Sequence, residues 1–254
     1  MKISRAVLIY FSPTGGTKRV AELFGQRLGI ETEKMDITSG EPERNFAADE
    51  LAVFAFPVYG GRIPAPIHER MKNINGCDTP AVMLAVYGNR AVDDAGLEMS
   101  DAAEKQGFRT VAAAEFVAPH SVCRSYGSGR PDEKDLGIMD EFVSKLLKKL
   151  EGDSICGVEI PGSRPYVDYN GIPIKPSVKK NLCSSCGRCA AHCPSGAIDP
   201  QCPQKTDKAK CISCMGCISV CPTGARHISP VFKLAGKLSL KKICSGRKEP
   251  RYFI

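Results

Sequence analysis

The stretch "AVLIYFSPTGGTKRVAELF", residues 6–24, falls into three pieces. Ala6–Phe11 is a continuous apolar run, as expected for a strand buried on both faces. "SPTGGT", residues 12–17, is a Gly-rich turn. Beyond it Val20, Leu23, Phe24 and Leu28 recur at helical spacing. A strand, a tight loop and a helix in that order present backbone N–H groups and the positive end of the helix dipole at the loop, which suits a phosphate. Ser12, Thr14 and Thr17 add hydroxyl donors, and Gly15 and Gly16 let the backbone come close. The spacing is neither G-x4-GK[ST] nor GxGxxG. A plain structural turn with a capping threonine is the competing reading of the loop.

The same alternation continues downstream. "ETEKMDI" (31–37) is a weaker strand, "LAVFAFPVY" (51–59) a strong one, and "AVMLAVYG" (81–88) and "TVAAAEFV" (110–117) follow. Between them lie "PAPIHERMKNI", opened by prolines, and "VDDAGLEMSDAAEKQG", closed by Gly107. "DEKDLGIMDEFVSKLLKKL" (132–150) is a long amphipathic helix. Five strands alternating with helices imply an α/β domain over 1–150, its parallel sheet covered on both faces. Two further loops, "FPVYGGR" (56–62) and "VYGNR" (86–90), end strands at the edge where open parallel sheets bind ligands. In each, Tyr precedes Gly: the ring can cover a planar group and the glycine admits it. Pro57, Tyr59, Gly60 and Gly61 are candidates from the first loop. Tyr87, Gly88 and Asn89 are candidates from the second.

The pattern stops near Leu150. Residues 151–178 carry Gly152, Gly157, Pro161, Gly162, Pro165, Gly171, Pro173 and Pro176, and read as an extended linker. A small domain over 179–230 follows. "CSSCGRCAAHCP" starts at Cys183 and "CISCMGCISVCP" at Cys211, two copies of C-x2-C-x2-C-x3-C-P offset by 28 residues. They also share Ser185/Ser213, Gly196/Gly224 and Ala197/Ala225. Zinc is the alternative ligand, but a structural zinc site takes two separated pairs, and here three cysteines crowd into seven residues. Residues 231–254 read as a basic tail whose "VFKLAGKLSLKKI" suits a helix.

The net charge is +7, and from Lys179 onward fourteen Lys/Arg face three Asp/Glu. Two iron–sulfur cubes with four thiolates each would contribute about −2 apiece and offset part of this excess, so the charge points to no nucleic acid. No apolar run reaches 18 residues, so no membrane span is expected. The N-terminal segment has no cleavage site, and thirteen cysteines without an export signal point to thiolate–metal bonding in a reducing cytoplasm.

Over about 50 residues the cysteine repeat resembles the bacterial two-[4Fe-4S] ferredoxins. The resemblance implies crossed ligation: Cys183, Cys186, Cys189 and Cys221 on one cluster, and Cys211, Cys214, Cys217 and Cys193 on the other. Cys202 lies outside the pattern and reads as a free thiol. "SPTGGT", with the two Tyr-Gly loops, resembles the flavodoxins, which implies the 2-1-3-4-5 strand order. It also implies FMN, its phosphate on Ser12, Thr14, Gly15, Gly16 and Thr17 and its ring between the Tyr59 and Tyr87 loops. Trp, common beside flavin in that family, is absent. The whole is similar to the EFR1-type flavodoxin–ferredoxin fusions. That similarity implies an electron-transfer iron–sulfur flavoprotein relaying single electrons between two [4Fe-4S] clusters and FMN, with a redox protein as partner, and the basic surface suits an acidic one. An FMN-dependent reductase of a small substrate such as a quinone, and a redox sensor or binding module, are the rival readings. A substrate pocket over the flavin favours the first, and partner binding that depends on redox state the second. His120, after the fifth strand, is a candidate neighbour of the flavin site.

Overall fold

The computed structural model describes residues 3–152 and 155–254; residues 153 and 154 of the expected linker lie outside them, as do residues 1 and 2. Five strands form a parallel sheet: β1 (Arg5–Tyr10), β2 (Thr32–Asp36), β3 (Glu50–Pro57), β4 (Thr79–Tyr87) and β5 (Phe108–Val117). Their spatial order is 2-1-3-4-5. This is the flavodoxin-like, doubly wound α/β fold, in which ligands sit beyond the carboxyl ends of the strands. α1 (Gly16–Leu28) and α4 (Glu133–Leu150) cover one face, packing on Leu8, Leu51, Val53, Leu84 and Phe116. α2 (Pro66–Met71) and α3 (Ala95–Glu104) cover the other, over Val7, Ile9, Phe54 and Met83. Cover on both sides is why β3 and β4 are buried at every position and read as unbroken apolar runs.

The segment 155–176 is a strap that starts beside the amino end of β5, where Val158 N donates to the Thr110 carbonyl at 3.1 Å, and reaches the sheet's carboxyl edge. The Asp94 carboxylate accepts from Ser163 N (2.8 Å) and Val167 N (2.6 Å) to fix it there. The cysteine repeat follows with one short helix per copy, α5 (Arg188–Ala191) and α6 (Gly216–Ser219). Ser177–Val178 and Arg226–His227 close the unit as an antiparallel pair. The segment 231–254, expected as a basic tail, returns to the first domain. α7 (Pro230–Cys244) lies over the carboxyl edge, and β6 (Arg251–Phe253) pairs antiparallel with β5 as a sixth strand. Arg251 pairs with Glu115, and the Tyr252 ring stacks on Phe142 at 5.4 Å. Among the described residues no helix is long and apolar enough to cross a membrane.

One buried carboxylate fixes the turn after β3. Glu98, 3% exposed, accepts from Arg62 Nε (2.7 Å), Arg62 Nη2 (2.8 Å) and the Ile63 amide (3.0 Å), and meets His68 Nε2 at 3.1 Å. Burial opposes its ionisation, but these donors outweigh burial and hold the carboxyl at about 2. The bound form is therefore favoured above the ordinary carboxyl range, and its contribution is lost as pH falls from there towards 2. Glu98→Gln should cost about 2–3 kcal/mol at neutral pH. Chemical denaturation measures this, and the gap between variant and parent should narrow as pH drops from about 4.5 towards 2.

Candidate functional site: a cavity at the carboxyl edge facing buried thiols

The loop Ser12–Thr17 leaves β1 at its carboxyl end. Gly15 holds a left-handed backbone (φ 85°) that β-carbon residues rarely adopt, and this bend starts α1. Ser12 Oγ accepts from Lys18 N at 2.9 Å, and no side chain caps the helix. The first turn of α1 carries no acidic residue, so its amide end stays electropositive and open to an anion.

This loop and the two Tyr-Gly loops enclose a cavity of about 280 Å³, near the lower end for small-molecule sites. Thr14, Gly16, Thr17, Pro57, Tyr59, Gly60, Tyr87 and Gly88 line it. Ser12 and Gly15 shape the loop behind the lining. Gly61 turns towards Asp93 and Val167. The Asn89 side chain points to the chain's end, donating to the carbonyls of Cys244 (2.7 Å) and Gly246 (2.8 Å). Burial pushes the Tyr59 phenol well above its ordinary range, and the adjoining Cys214 and Tyr169 add to the shift. Burial also raises Tyr87, with Glu115 contributing. Both rings are therefore neutral, as an apolar ligand wall requires.

His120, a candidate neighbour from sequence, lines the cavity, and two further walls were not expected from sequence. His120 Nδ1 accepts from the amides of Val122 (3.2 Å) and Cys123 (3.3 Å). Burial, with Arg90 nearby, lowers its pKa, so the ring is neutral with its proton on Nε2. Ile172, Pro173 and Ile174 of the strap form a second wall, and Gly236, Ser239 and Leu240 of α7 a third.

Two sets of cysteines stand out, and buried Cys189 packs with Cys217 and Cys193 of the first. Cys193, Cys211, Cys214 and Cys217 line one enclosed space. Burial pushes the Cys214 and Cys217 thiols up to about 12. A thiolate there needs a cation beside it, and an iron–sulfur core supplies one. The thiols surround the space without converging on a point. Among the described residues no three His, Cys, Asp or Glu come within reach of a single metal ion. Cys186 and Cys221 interact with each other nearer the surface. Cys186 lies below the usual thiol range because the Arg188 amide and Ser184 donate to its sulfur. Burial opposes the same shift at Cys221, but the amides of Arg226, Thr223 and Ala225, with the Thr223 hydroxyl, outweigh it. The repeat is visible here: Ala197 N donates to Cys193 Sγ at 3.3 Å as Ala225 N does to Cys221. Cys202 stands apart, its carbonyl accepting from Lys205 N.

The inner group lies against the cavity. His192 Nε2 donates to the Pro13 carbonyl at 2.7 Å, and Ser219 Oγ lies 3.3 Å from the same oxygen. Met215 packs on Val122 and Ile174, both part of the cavity wall.

Residues 182–226 match the family model described as a 4Fe-4S dicluster domain. No curated protein matches the chain. Similar solved structures include a flavodoxin from the domain Archaea, at 15% identity over 58% of this chain and 99% of that one, with TM-score 0.41. The Streptococcus pneumonia TIGR4 flavodoxin is 16% identical over 57% and 99%, with TM-score 0.41. The two-electron reduced Megasphaera elsdenii flavodoxin is 12% identical over 56% and 98%, with TM-score 0.37. The chain thus joins a flavodoxin-like fold, assigned from its own strand order, to a 4Fe-4S dicluster segment.

A methyl group added at Gly88 would meet the His120 ring at 2.5–2.7 Å. Gly88→Ala should therefore destabilise the protein by about 1–3 kcal/mol. Gly137→Ala, in α4 with open space around it, should be neutral or stabilise by up to about 1 kcal/mol. Equilibrium unfolding of the two variants checks the contrast.

Proposed function

We propose that the chain is an electron-transfer iron–sulfur flavoprotein, related to the EFR1-type fusions, that relays single electrons between two [4Fe-4S] clusters and FMN. When bound, FMN supplies chemistry in one- or two-electron steps and the clusters in single-electron steps. The observation that carries the reading is the position of Cys214: this buried thiol, one of four around an enclosed space, lies near enough to Tyr59 on the cavity wall to raise its phenol.

In this reading the open amide end of α1, with Thr14 and Thr17, holds the FMN phosphate. Tyr59 and Tyr87 flank the ring, and Gly60 and Gly88 let backbone approach its edge. His120 offers its Nε2–H on the cavity side. Ile172–Ile174 and α7 exclude water. Cys193, Cys211, Cys214 and Cys217 hold the inner cluster beside this cavity, while Cys183, Cys186, Cys189 and Cys221 hold the outer one. Cys186 is exposed, so the outer group is where a redox protein would dock. The Lys/Arg excess from Lys179 onward favours an acidic partner, with rates that fall as salt rises.

Two titrations and three variants test this. FMN should bind at least tenfold more tightly than riboflavin, which has no phosphate for the loop, and Thr14→Ala with Thr17→Ala should shrink that ratio. Cys193→Ser should perturb the spectrum of the buried cluster, and Cys221→Ser that of the exposed one, each across the sequence repeat. Equal affinity for both flavins would remove the phosphate loop from the account. Damage confined to the cluster of the mutated cysteine's own array would overturn the crossed assignment.

A further inference from the structure

α7 has two unlike sides. At 100° per residue, Gly236, Leu240 and Cys244 fall on one side and face the protein. Gly236 and Cys244 are buried, and Leu240 packs by Val122 and Met215. The opposite pole carries Val231, Leu234 and Leu238, spaced i, i+3, i+7. These are 74%, 59% and 62% exposed, and Phe232 and Ile243 on the neighbouring flank are 52% and 50% exposed. Among the described residues these five are the most exposed large apolar side chains of the chain. Lys237 and Lys241 stand along the other flank, Lys242 stands near the outer pole, and Lys233 falls at the start of the helix on the side of Leu240 and Cys244. No acidic residue occurs between Asp207 and Glu249.

An apolar ridge of this size left in water needs a cover. Its flank chemistry selects among covers. Lysine is depleted at protein–protein interfaces, and a second copy of this helix would bring like charges together. Helices that lie in a membrane interface combine an apolar side with lysines, whose stems run along the apolar surface while the ammonium groups reach the headgroups. With fifteen residues and four lysines, α7 is too short and too polar to span a bilayer, but it suits lying on one.

We propose that the outer side of α7 docks the protein on an anionic lipid surface. Val231, Leu234 and Leu238 enter the headgroup–acyl boundary, and Lys237, Lys241 and Lys242 pair with lipid phosphates. Because Gly236, Ser239 and Leu240 wall the cavity from the other side of the same helix, docking sets that wall against the bilayer. The proposal is independent of which flavin or cluster the chain carries.

The test is vesicle flotation of the full-length protein, purified anaerobically with its bound groups. Vesicles of phosphatidylcholine alone are compared with vesicles containing about one third phosphatidylglycerol. Binding to the anionic vesicles should exceed binding to the neutral ones at least tenfold and should fall as salt rises. Leu234→Asp with Leu238→Asp should abolish it. Each of Lys237→Gln, Lys241→Gln and Lys242→Gln should weaken it about fivefold. All five side chains are solvent-exposed, so the variants should keep the parent's visible absorbance. Sedimentation velocity is run in parallel. Failure to bind anionic vesicles would overturn the proposal, as would binding that ignores the leucine substitutions. A dimer that these substitutions convert to monomer, without vesicle binding, would assign the ridge to a second copy instead.

Discussion

The Pro13 carbonyl joins the two halves of this molecule. It belongs to the phosphate-type loop after β1, and His192, one residue before Cys193, donates to it at 2.7 Å. The bond holds the first copy of the cysteine repeat against that loop. With His192 on the loop, Cys193 turns inward to join Cys211, Cys214 and Cys217, and Cys221 is left with the surface group. Ser219 reaches the same oxygen from the other copy of the repeat. One acceptor therefore touches both copies, and the cavity and the inner thiols share a wall.

Charge and burial then separate the two groups. Cys214 and Cys217 of the inner group are raised by burial, so a thiolate there is costly unless a cationic core accompanies it. The outer thiols Cys186 and Cys221 receive backbone N–H groups and are lowered. Donors to cluster sulfurs and solvent exposure are both levers on cluster potential. A repeat that began as two equal halves is thus placed in two unlike environments, which gives the proposed relay an inside and an outside.

Much of this was legible in the chain because its signals are local. β1, β3 and β4 are apolar runs, strand–helix alternation implied the parallel sheet, and the flavodoxin resemblance implied its order. Both cysteine arrays carry their own spacing. What escaped depends on contacts far apart in sequence. β6 is three residues long and exists only because Arg251 finds Glu115 and Tyr252 finds Phe142. α7 was visible as a helix, but its role as a cavity wall was not, because the glycine that lets it approach, Gly236, looks ordinary in sequence. Ile172–Ile174 read as linker, yet they line the cavity. Asn89 sits on an expected loop, but its amide is used to hold the C-terminal end of α7. Backbone placement at the carboxyl edge could be inferred; the direction of each side chain could not.

The account stands on transfer within one chain between the outer thiols, the inner thiols and the cavity. The direct measurement is rapid anaerobic reduction of the clusters in the FMN-loaded protein, followed by flavin absorbance over a wide range of protein concentration. The account predicts a fast phase whose rate does not change with concentration, and which disappears in Cys193→Ser while the flavin remains bound. A rate that rises in proportion to concentration would contradict it, because electrons would then be passing between molecules and the shared wall at Pro13 would have no part in the transfer.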